Sequence, residues 1–482
     1  MDAFLESLRA VVGAAHVLTA GHDGGDLSAY EQDWRKRARG KALAVVRPGT
    51  AAEVAAVVQA CTAAKARGMQ VSIVPQGGNT GLVVGGIPDA TGQQIVLSLQ
   101  RMQAVRNLDA ANMTITVEAG CILQNLQDAA EQAGFLFPLS LAAQGSCTIG
   151  GNLATNAGGT QVLRYGNTRD LCLGLEVVTA RGDIWQGLSG LRKDNTGYDL
   201  RNLLIGSEGT LGIITAATMK LYPQPAASLT AWAALPSLHA AVNLLGLAQK
   251  HLTSSLTGFE VMGRFAISLV ATHFKQQRVP LWPGASLDAP YSVLMEVSDA
   301  QGEAHARGRF EALMEQAFAA ELVLDAVIAE NMAQSRALWH VRESIPLGQA
   351  QEGLNIKHDI SIPVSRIPGF VMATDALLQQ HIPGVRLVNF GHLGDGNLHY
   401  NVQCPEGADG ELFLLQYEHQ VNKLVYDSVL QYAGSISAEH GIGSLKRDEL
   451  PHYKSAVALD MMRAVKKALD PLGMLNPERV VK

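Results

Sequence analysis

The sequence predicts an α+β protein of more than one domain, and three observations carry that expectation. Strand-like runs in the N-terminal half end in glycine-rich loops. A βαββαβ order of elements fills the middle. The chain, at 482 residues, exceeds what one core of ordinary size holds. Apolar residues make up 47% of the chain, the ordinary share for a globular protein. The net charge of -6, with no basic block that outweighs it, argues against nucleic acid as a partner. Cys61, Cys121, Cys147, Cys172 and Cys404 are scattered and odd in number, with no CxxC pair. They read as buried thiols in a reducing compartment, so a cytoplasmic location is expected. No apolar run is long enough to span a bilayer.

In chain order, the opening MDAFLESLRAVVGAAHVLTA reads as an amphipathic helix with Phe4, Leu8 and Val11 on one face. It is too acidic and too interrupted for a signal peptide. RPGTAAEVAAVVQACTAAKARG places Thr50 and Glu53 in capping-box spacing, continues through alanine- and valine-rich turns to Arg67, and stops at Gly68. VSIVP is a short buried strand ending at Pro75. QGGNTG (76–81) follows directly. A loop so rich in glycine lets several backbone N–H groups converge on one anion, although a tight turn alone accounts for it too.

Two more such segments follow, TIGGNLATNAGG (148–159) and LIGSEGTLGIIT (204–215). Three of them suit a long ligand threaded along the backbone, and a dinucleotide has that shape. No GxGxxG follows a first strand and no P-loop signature occurs, which argues against both of those nucleotide folds.

YPQPAAS (222–228) is a proline-bearing linker. The expected division is 1–225, 226–420 and 421–482. LTAWAAL, TGFEVM, YSVLMEVS and ELVLDAVI read as strands, with helices over 237–251 and 303–319. Their βαββαβ order predicts a ferredoxin-like domain.

NFGHLGDGNLHYNV (389–402) holds two histidines across a tight turn. A two-residue type I′ turn at Asp395 and Gly396 would set His392 opposite His399. Opposed Cβ atoms lie about 4.5–5.5 Å apart, so both imidazoles would share a face and reach one divalent ion. Asn401 points to the same face. An exposed hairpin with incidental histidines is the plain alternative. SISAEHGIG (435–443) supplies Glu439 and His440 beside a glycine-punctuated turn, and a His₂Glu set with open positions suits zinc or a similar ion. For anionic substrates, Arg342 stands on a helix expected to end near Pro346, and Lys357, His358 and Arg366 follow. Solvated surface charge is the ordinary reading of each.

PQGGNTG, IGGNLATNAGG and KDNTGYDLRNLLIGSEGTLGIIT (193–215) together resemble the FAD domain of the vanillyl-alcohol oxidase superfamily. The likeness is strongest to its D-2-hydroxyacid dehydrogenase branch, which includes D-2-hydroxyglutarate and D-lactate dehydrogenases. The resemblance implies a two-subdomain, PCMH-type FAD-binding domain. It makes the ferredoxin-like part a cap and substrate domain, and implies that LDPLGMLNPERVV (469–481) returns to the flavin domain. Pro75, Gly77, Gly78, Asn79, Thr80 and Gly81 are implied at the pyrophosphate. Gly151, Asn152, Ser207, Glu208, Gly209 and Ile214 are implied along the rest of the FAD, and Asn476 is a further contact.

The resemblance also implies His392, His399 and Glu439 as metal ligands and His440 as base. It implies Arg342 and Lys357 at the substrate carboxylate, with Asn401 as a polar contact. There is one departure. D-2-hydroxyglutarate members carry a threonine four residues after the arginine, where this chain has Pro346.

The implied reaction is oxidation of a D-2-hydroxy acid, D-2-hydroxyglutarate in preference, to the 2-keto acid, using FAD and Zn²⁺ or a similar ion. D-lactate and D-malate are alternative substrates, and a glycolate-oxidase-type flavoprotein subunit is an alternative role. A metal hydrolase would leave the glycine loops unexplained. With no NAD motif, an electron-transferring flavoprotein or a quinone is the expected acceptor, and a homodimer is the candidate assembly. Members that tether flavin covalently often carry histidine after the paired glycines, and Asn79 holds that place. The expected FAD is therefore non-covalent. Acid precipitation should leave all flavin absorbance in the supernatant, and flavin pelleting with the protein would refute this.

Overall fold

The computed structural model describes residues 1–21 and 25–482. The chain divides into two compact units. One comprises Met1–Ala157, Asn167–Pro223 and Glu439–Lys482, and the other comprises Gly158–Gly166 and Gln224–Ala438.

The first unit opens with the helix Asp2–Val12, which buries Phe4, Leu8 and Val12. Its smaller sheet runs in the order Val17–Leu18, Ala42–Val46, Gln94–Ser98, Ser72–Gln76, the last three strands being parallel. Gln94–Ser98 is buried throughout, as an inner parallel strand requires. Pro75 lies in the edge strand Ser72–Gln76, where a missing N–H is tolerated. The helix Ala51–Ala66 begins at Thr50, whose Oγ1 accepts from Glu53 N at 3.1 Å. The Glu53 carboxylate accepts from Gly49 N at 2.7 Å, so the return half of the cap falls one residue before Thr50. A second, antiparallel sheet has the order Val105–Asp109, Thr114–Glu118, Ile213–Lys220, Cys172–Val178, Ile184–Gly187.

The C-terminal segment completes this unit. Ile73 N donates to Met474 O at 2.8 Å and Asn476 N donates to Ile73 O at 2.7 Å, so the chain end pairs with the edge strand. Lys466 Nζ donates to Thr210 O and Leu475 O. The Glu208 carboxylate accepts from Ile442 N through one oxygen and from Gly443 N through the other, both at 2.7 Å. A Cβ on Gly441 would come within 2.6 Å of Glu208 Oε1, and Gly441 has φ 83°, so this turn needs glycine there.

In the second unit, Ala227–Leu235, Leu238–Leu252, Leu256–Gly263, Tyr291–Asp299, Glu303–Ala319 and Asp325–Ile328 form the expected βαββαβ order. The antiparallel sheet order is fourth, first, third, second strand, the ferredoxin-like arrangement. The fourth strand is shorter than ELVLDAVI, because Glu321 takes a left-handed φ of 55° in the turn before it. The sheet continues through the hairpin strands Arg386–His392 and Asn397–Gln403, with Asn355–Ile356 and Asp359–Ser361 beyond.

Trp232, Met262, Leu294, Val388 and Phe390 pack from this sheet against Leu338, Val341 and Ile345 of the helix Met332–Glu352. That helix does not end near Pro346 but runs through it. Proline removes the N–H that would bond the carbonyl of Arg342, at about 3 kcal/mol in a helix interior. Burial of three apolar side chains on the same helix, at about 1.5–3 kcal/mol each, offsets that.

Among the described residues, no helix is long and apolar enough to cross a membrane. All five cysteines are buried. Burial lifts the Cys61 and Cys172 thiols to about 12 and Cys121 to about 11, consistent with inert core positions.

Glu208→Gln should leave one of the two N–H groups facing an amide donor. The expected loss is about 1–3 kcal/mol, read as a lower urea or thermal midpoint. An unchanged midpoint would mean this carboxylate does not fasten the turn.

Candidate active site

The three glycine-rich loops come together in the first unit. Pro75, Gly77, Gly78, Asn79, Thr80, Gly81, Gly151, Asn152, Ser207, Glu208, Gly209 and Ile214 all line one cleft, and His440 lines it with them. The cleft holds about 1080 Å³ of space, part of it open to solvent. The loops abut closely: a Cβ on Gly78 would fall 2.1 Å from Ser146 O. Gly81 has nothing within 4 Å of such a Cβ and faces open space. A wall of glycine backbone on one side and Val83, Val84, Ile87 and Leu99 on another fits a long cofactor with a phosphate-bearing stretch and an apolar ring.

Asn79 has φ 53°, which asparagine tolerates. Its side-chain amide donates to Ala29 O at 3.1 Å and Gln32 O at 2.9 Å, toward the N-terminal segment. Asn476 is absent from the cleft lining. It is 1% exposed, and its amide donates to Gly85 O and Glu208 O, binding two lining segments from behind. Burial pushes the Glu208 carboxyl above its usual range, against the pull of its two N–H donors.

In the second unit the hairpin register differs from the expected one. His399 lies opposite Phe390, and His392 is its diagonal neighbour. A type I′ turn needs positive φ at both central residues. Gly396 has it, at 87°, but Asp395 is not among the left-handed residues. The loop therefore spans 393–396, with Gly396 N donating to His392 O at 3.1 Å and Asp395 accepting from Asn397 N at 3.0 Å.

The two imidazoles nevertheless stay close, with ring centroids 6.0 Å apart and ligand nitrogens within 4.8 Å. Zinc–nitrogen bonds of about 2.0–2.1 Å place each ring centre about 3.2 Å from a shared ion, so tetrahedral geometry asks for centroids about 5.2 Å apart. The observed 6.0 Å is somewhat wider than that.

One residue here was missed by sequence reasoning. Glu260 is fully buried in Leu256–Gly263, directly opposite His392 in the strand register. Its Oε1 is 2.5 Å from His392 Nδ1, and its Oε2 accepts from Arg342 Nε at 2.7 Å. Burial opposes its ionisation, but the charges of His392 and Arg342 and their hydrogen bonds outweigh that and hold it at about 2. A lone acid within the apolar run TGFEVM was the available signal, since an unpaired carboxylate is almost never buried. The Arg342 guanidinium lies over the Phe390 ring at 4.8 Å, and Phe390 in turn lies 4.8 Å from the His399 ring.

The other residues expected at the substrate also lie in this unit. Lys357 is half-buried between Asn355–Ile356 and Asp359–Ser361. The Asn401 side chain is engaged, accepting from His358 N at 3.0 Å and donating to Gln349 at 2.9 Å. His358 is a core residue, its ring nitrogens bonded to Tyr400 O and Asn422 Oδ1. Arg366 is exposed. Glu439 and His440 open the last segment of the first unit, half-buried, with ligand atoms within 4.8 Å of each other.

Comparison with known proteins agrees with this architecture. Residues 42–187 match the family described as FAD binding domain, and residues 224–480 match FAD linked oxidases, C-terminal domain. The chain is 39% identical over 481 residues to D-2-hydroxyglutarate dehydrogenase of Xanthomonas citri pv. viticola, covering 99% of this chain and 97% of that one. It is 36% identical to the mitochondrial D-2-hydroxyglutarate dehydrogenase of Danio rerio, covering 94% of this chain and 81% of that one. Among solved structures, p-cresol methylhydroxylase with substrate bound superposes with a TM-score of 0.75 at 15% identity, covering 99% of this chain and 96% of that one. That likeness bears on the fold alone. The glycine cleft, the ferredoxin-like unit and full-length relatedness thus lead to one assignment: the chain belongs to the FAD-linked D-2-hydroxyacid dehydrogenases.

Proposed function

We propose that the chain oxidises D-2-hydroxyglutarate to the 2-keto acid, with non-covalent FAD in the glycine cleft and a divalent ion such as zinc on His392, His399 and Glu439. The observation that carries this reading is His440 in the lining of the cleft that the glycine loops form. FAD, when bound, supplies the acceptor for the hydride leaving the α-carbon, and the ion supplies positive charge beside the substrate hydroxyl. His440, as a neutral imidazole, takes the hydroxyl proton, the general-base role that histidine side chains most often fill. One proton and one hydride leave the substrate, which balances the two-electron oxidation.

Two local features support the ligand set. The ligand nitrogens of His392 and His399 lie within 4.8 Å of each other. Ala438, the chain neighbour of Glu439, donates its N–H to Asp359 O at 3.3 Å, and Asp359 lies opposite His399 in the sheet.

Arg342 and Lys357 are the residues assigned to the substrate carboxylates. Arg342 Nε donates to Glu260, and its two terminal amino groups make no hydrogen bond among the described residues. They present the fork that grips a carboxylate bidentately. The relatives named D-2-hydroxyglutarate dehydrogenase favour the five-carbon diacid. Pro346, which has no hydroxyl to offer a distal carboxylate, keeps D-lactate and D-malate as the second reading. An electron-transferring flavoprotein or a quinone is the acceptor in this scheme.

His440→Ala should lower kcat by about 10²–10⁴ while the flavin absorbance stays with the protein. Full turnover in that variant would remove His440 from the mechanism. Dialysis against a chelator should abolish reduction of the flavin by D-2-hydroxyglutarate under anaerobic conditions, and added zinc should restore it. Turnover by metal-free enzyme would overturn the metal reading. The same bleaching assay with D-lactate and D-malate decides the substrate.

A further inference from the structure

We propose that Glu260 is a positioning residue that holds His392 and Arg342 with one carboxylate, so that metal affinity and hydroxy-acid affinity depend on it together. This rests on the reading of His392 as a metal ligand and Arg342 as a substrate contact.

The argument begins with register. Glu260 and His392 are cross-strand partners, so their side chains leave the same face of the sheet. The helix Met332–Glu352 packs on that face and brings Arg342 to the same carboxylate. Each oxygen has one partner: Oε1 meets His392 Nδ1 and Oε2 meets Arg342 Nε. A buried carboxylate beside a permanently charged guanidinium is ionised and can only accept. In the neutral form that metal binding requires, His392 must therefore carry its proton on Nδ1, which makes Nε2 the nitrogen with the lone pair. A carboxylate behind a metal-binding histidine fixes the ring's tautomer and orientation in this way.

Another buried carboxyl is nearby and does not compete. Glu296 accepts from Trp339 Nε1 at 2.8 Å, Thr257 Oγ1 at 3.1 Å and Gln161 Nε2 at 3.4 Å. Glu260 alone is shared between the histidine and the arginine. A purely structural ion pair would need only Arg342. Engagement of His392 by the second oxygen gives the carboxylate a role at the metal as well.

Glu260→Gln tests this in the FAD-loaded enzyme. Glutamine keeps the shape but has one acceptor, so its amide faces either Arg342 or His392 as a second donor. Zinc affinity is measured by competition with a chromophoric chelator. Affinity for 2-oxoglutarate is measured from the perturbation of the oxidised flavin spectrum. The expected result is a loss of zinc affinity of about 10–100-fold, accompanied by weaker 2-oxoglutarate binding. Zinc affinity within twofold of wild type, with only the melting temperature lowered, would overturn the proposal.

His392→Ala runs in parallel. Wild type that takes up no zinc, or His392→Ala with wild-type zinc affinity, would overturn the underlying metal reading instead. Should Glu260→Gln fail to retain flavin, histidine-selective ¹⁵N NMR of the wild-type, zinc-free enzyme decides the matter. At a pH where the His392 ring is neutral, its proton on Nδ1 supports the proposal, and its proton on Nε2 overturns it.

Discussion

A carboxylate withdrawn from water must be met by hydrogen-bond donors or it unfolds what surrounds it. Each unit of this protein has one such group that gathers donors from distant parts of the chain. In the first, Glu208 gathers two backbone N–H groups from the turn that follows His440. In the second, Glu260 gathers an imidazole and a guanidinium. In both cases the acid sits on a rigid part of the sheet framework or its adjoining loop, and the groups it holds come from elements distant in sequence. The hydrogen bonds therefore tie together segments that the chain order keeps far apart. Glu208 also borders the cofactor cleft, so the same residue shapes the cleft and anchors the turn that carries the histidine.

Much of this organisation is legible in the sequence because it is local. The Thr50 cap, the strand ahead of the first glycine loop and the βαββαβ order each depend on residues a few positions apart. The glycine loops are legible for a different reason. Their close approach excludes side chains, and glycine is the only residue that records such a constraint in a one-letter string.

What was not legible depends on partners far away. The turn at Asp395 and Gly396 carries a hairpin signal, but the signal does not give the loop length, and one changed φ at Asp395 moved His392 from opposite His399 to its diagonal. Pro346 reads as a helix end until Val341 and Ile345 before it, and Gly348 and Gln349 after it, are seen buried along one helix. Glu260 was passed over as one polar letter in a strand because its partners lie 82 and 132 positions away. Asn476 was expected at the cofactor, and its role in tying two lining segments could be recognised only once those segments were in space.

The first unit is sewn from three stretches of chain, and its final thread arrives last. Lys65 donates to Gly473 O across 408 positions, and Asn476 donates to Gly85 O across 391. During synthesis, the edge strand Ser72–Gln76 waits through the production of the entire second unit before Met474 and Asn476 can cover it. Such distant closure is slow to form and leaves an unpaired strand edge in the meantime. Until the stretch around Met474 has been made, that edge stays open to pairing with another chain, and the early half lacks the backbone partners that finish its sheet.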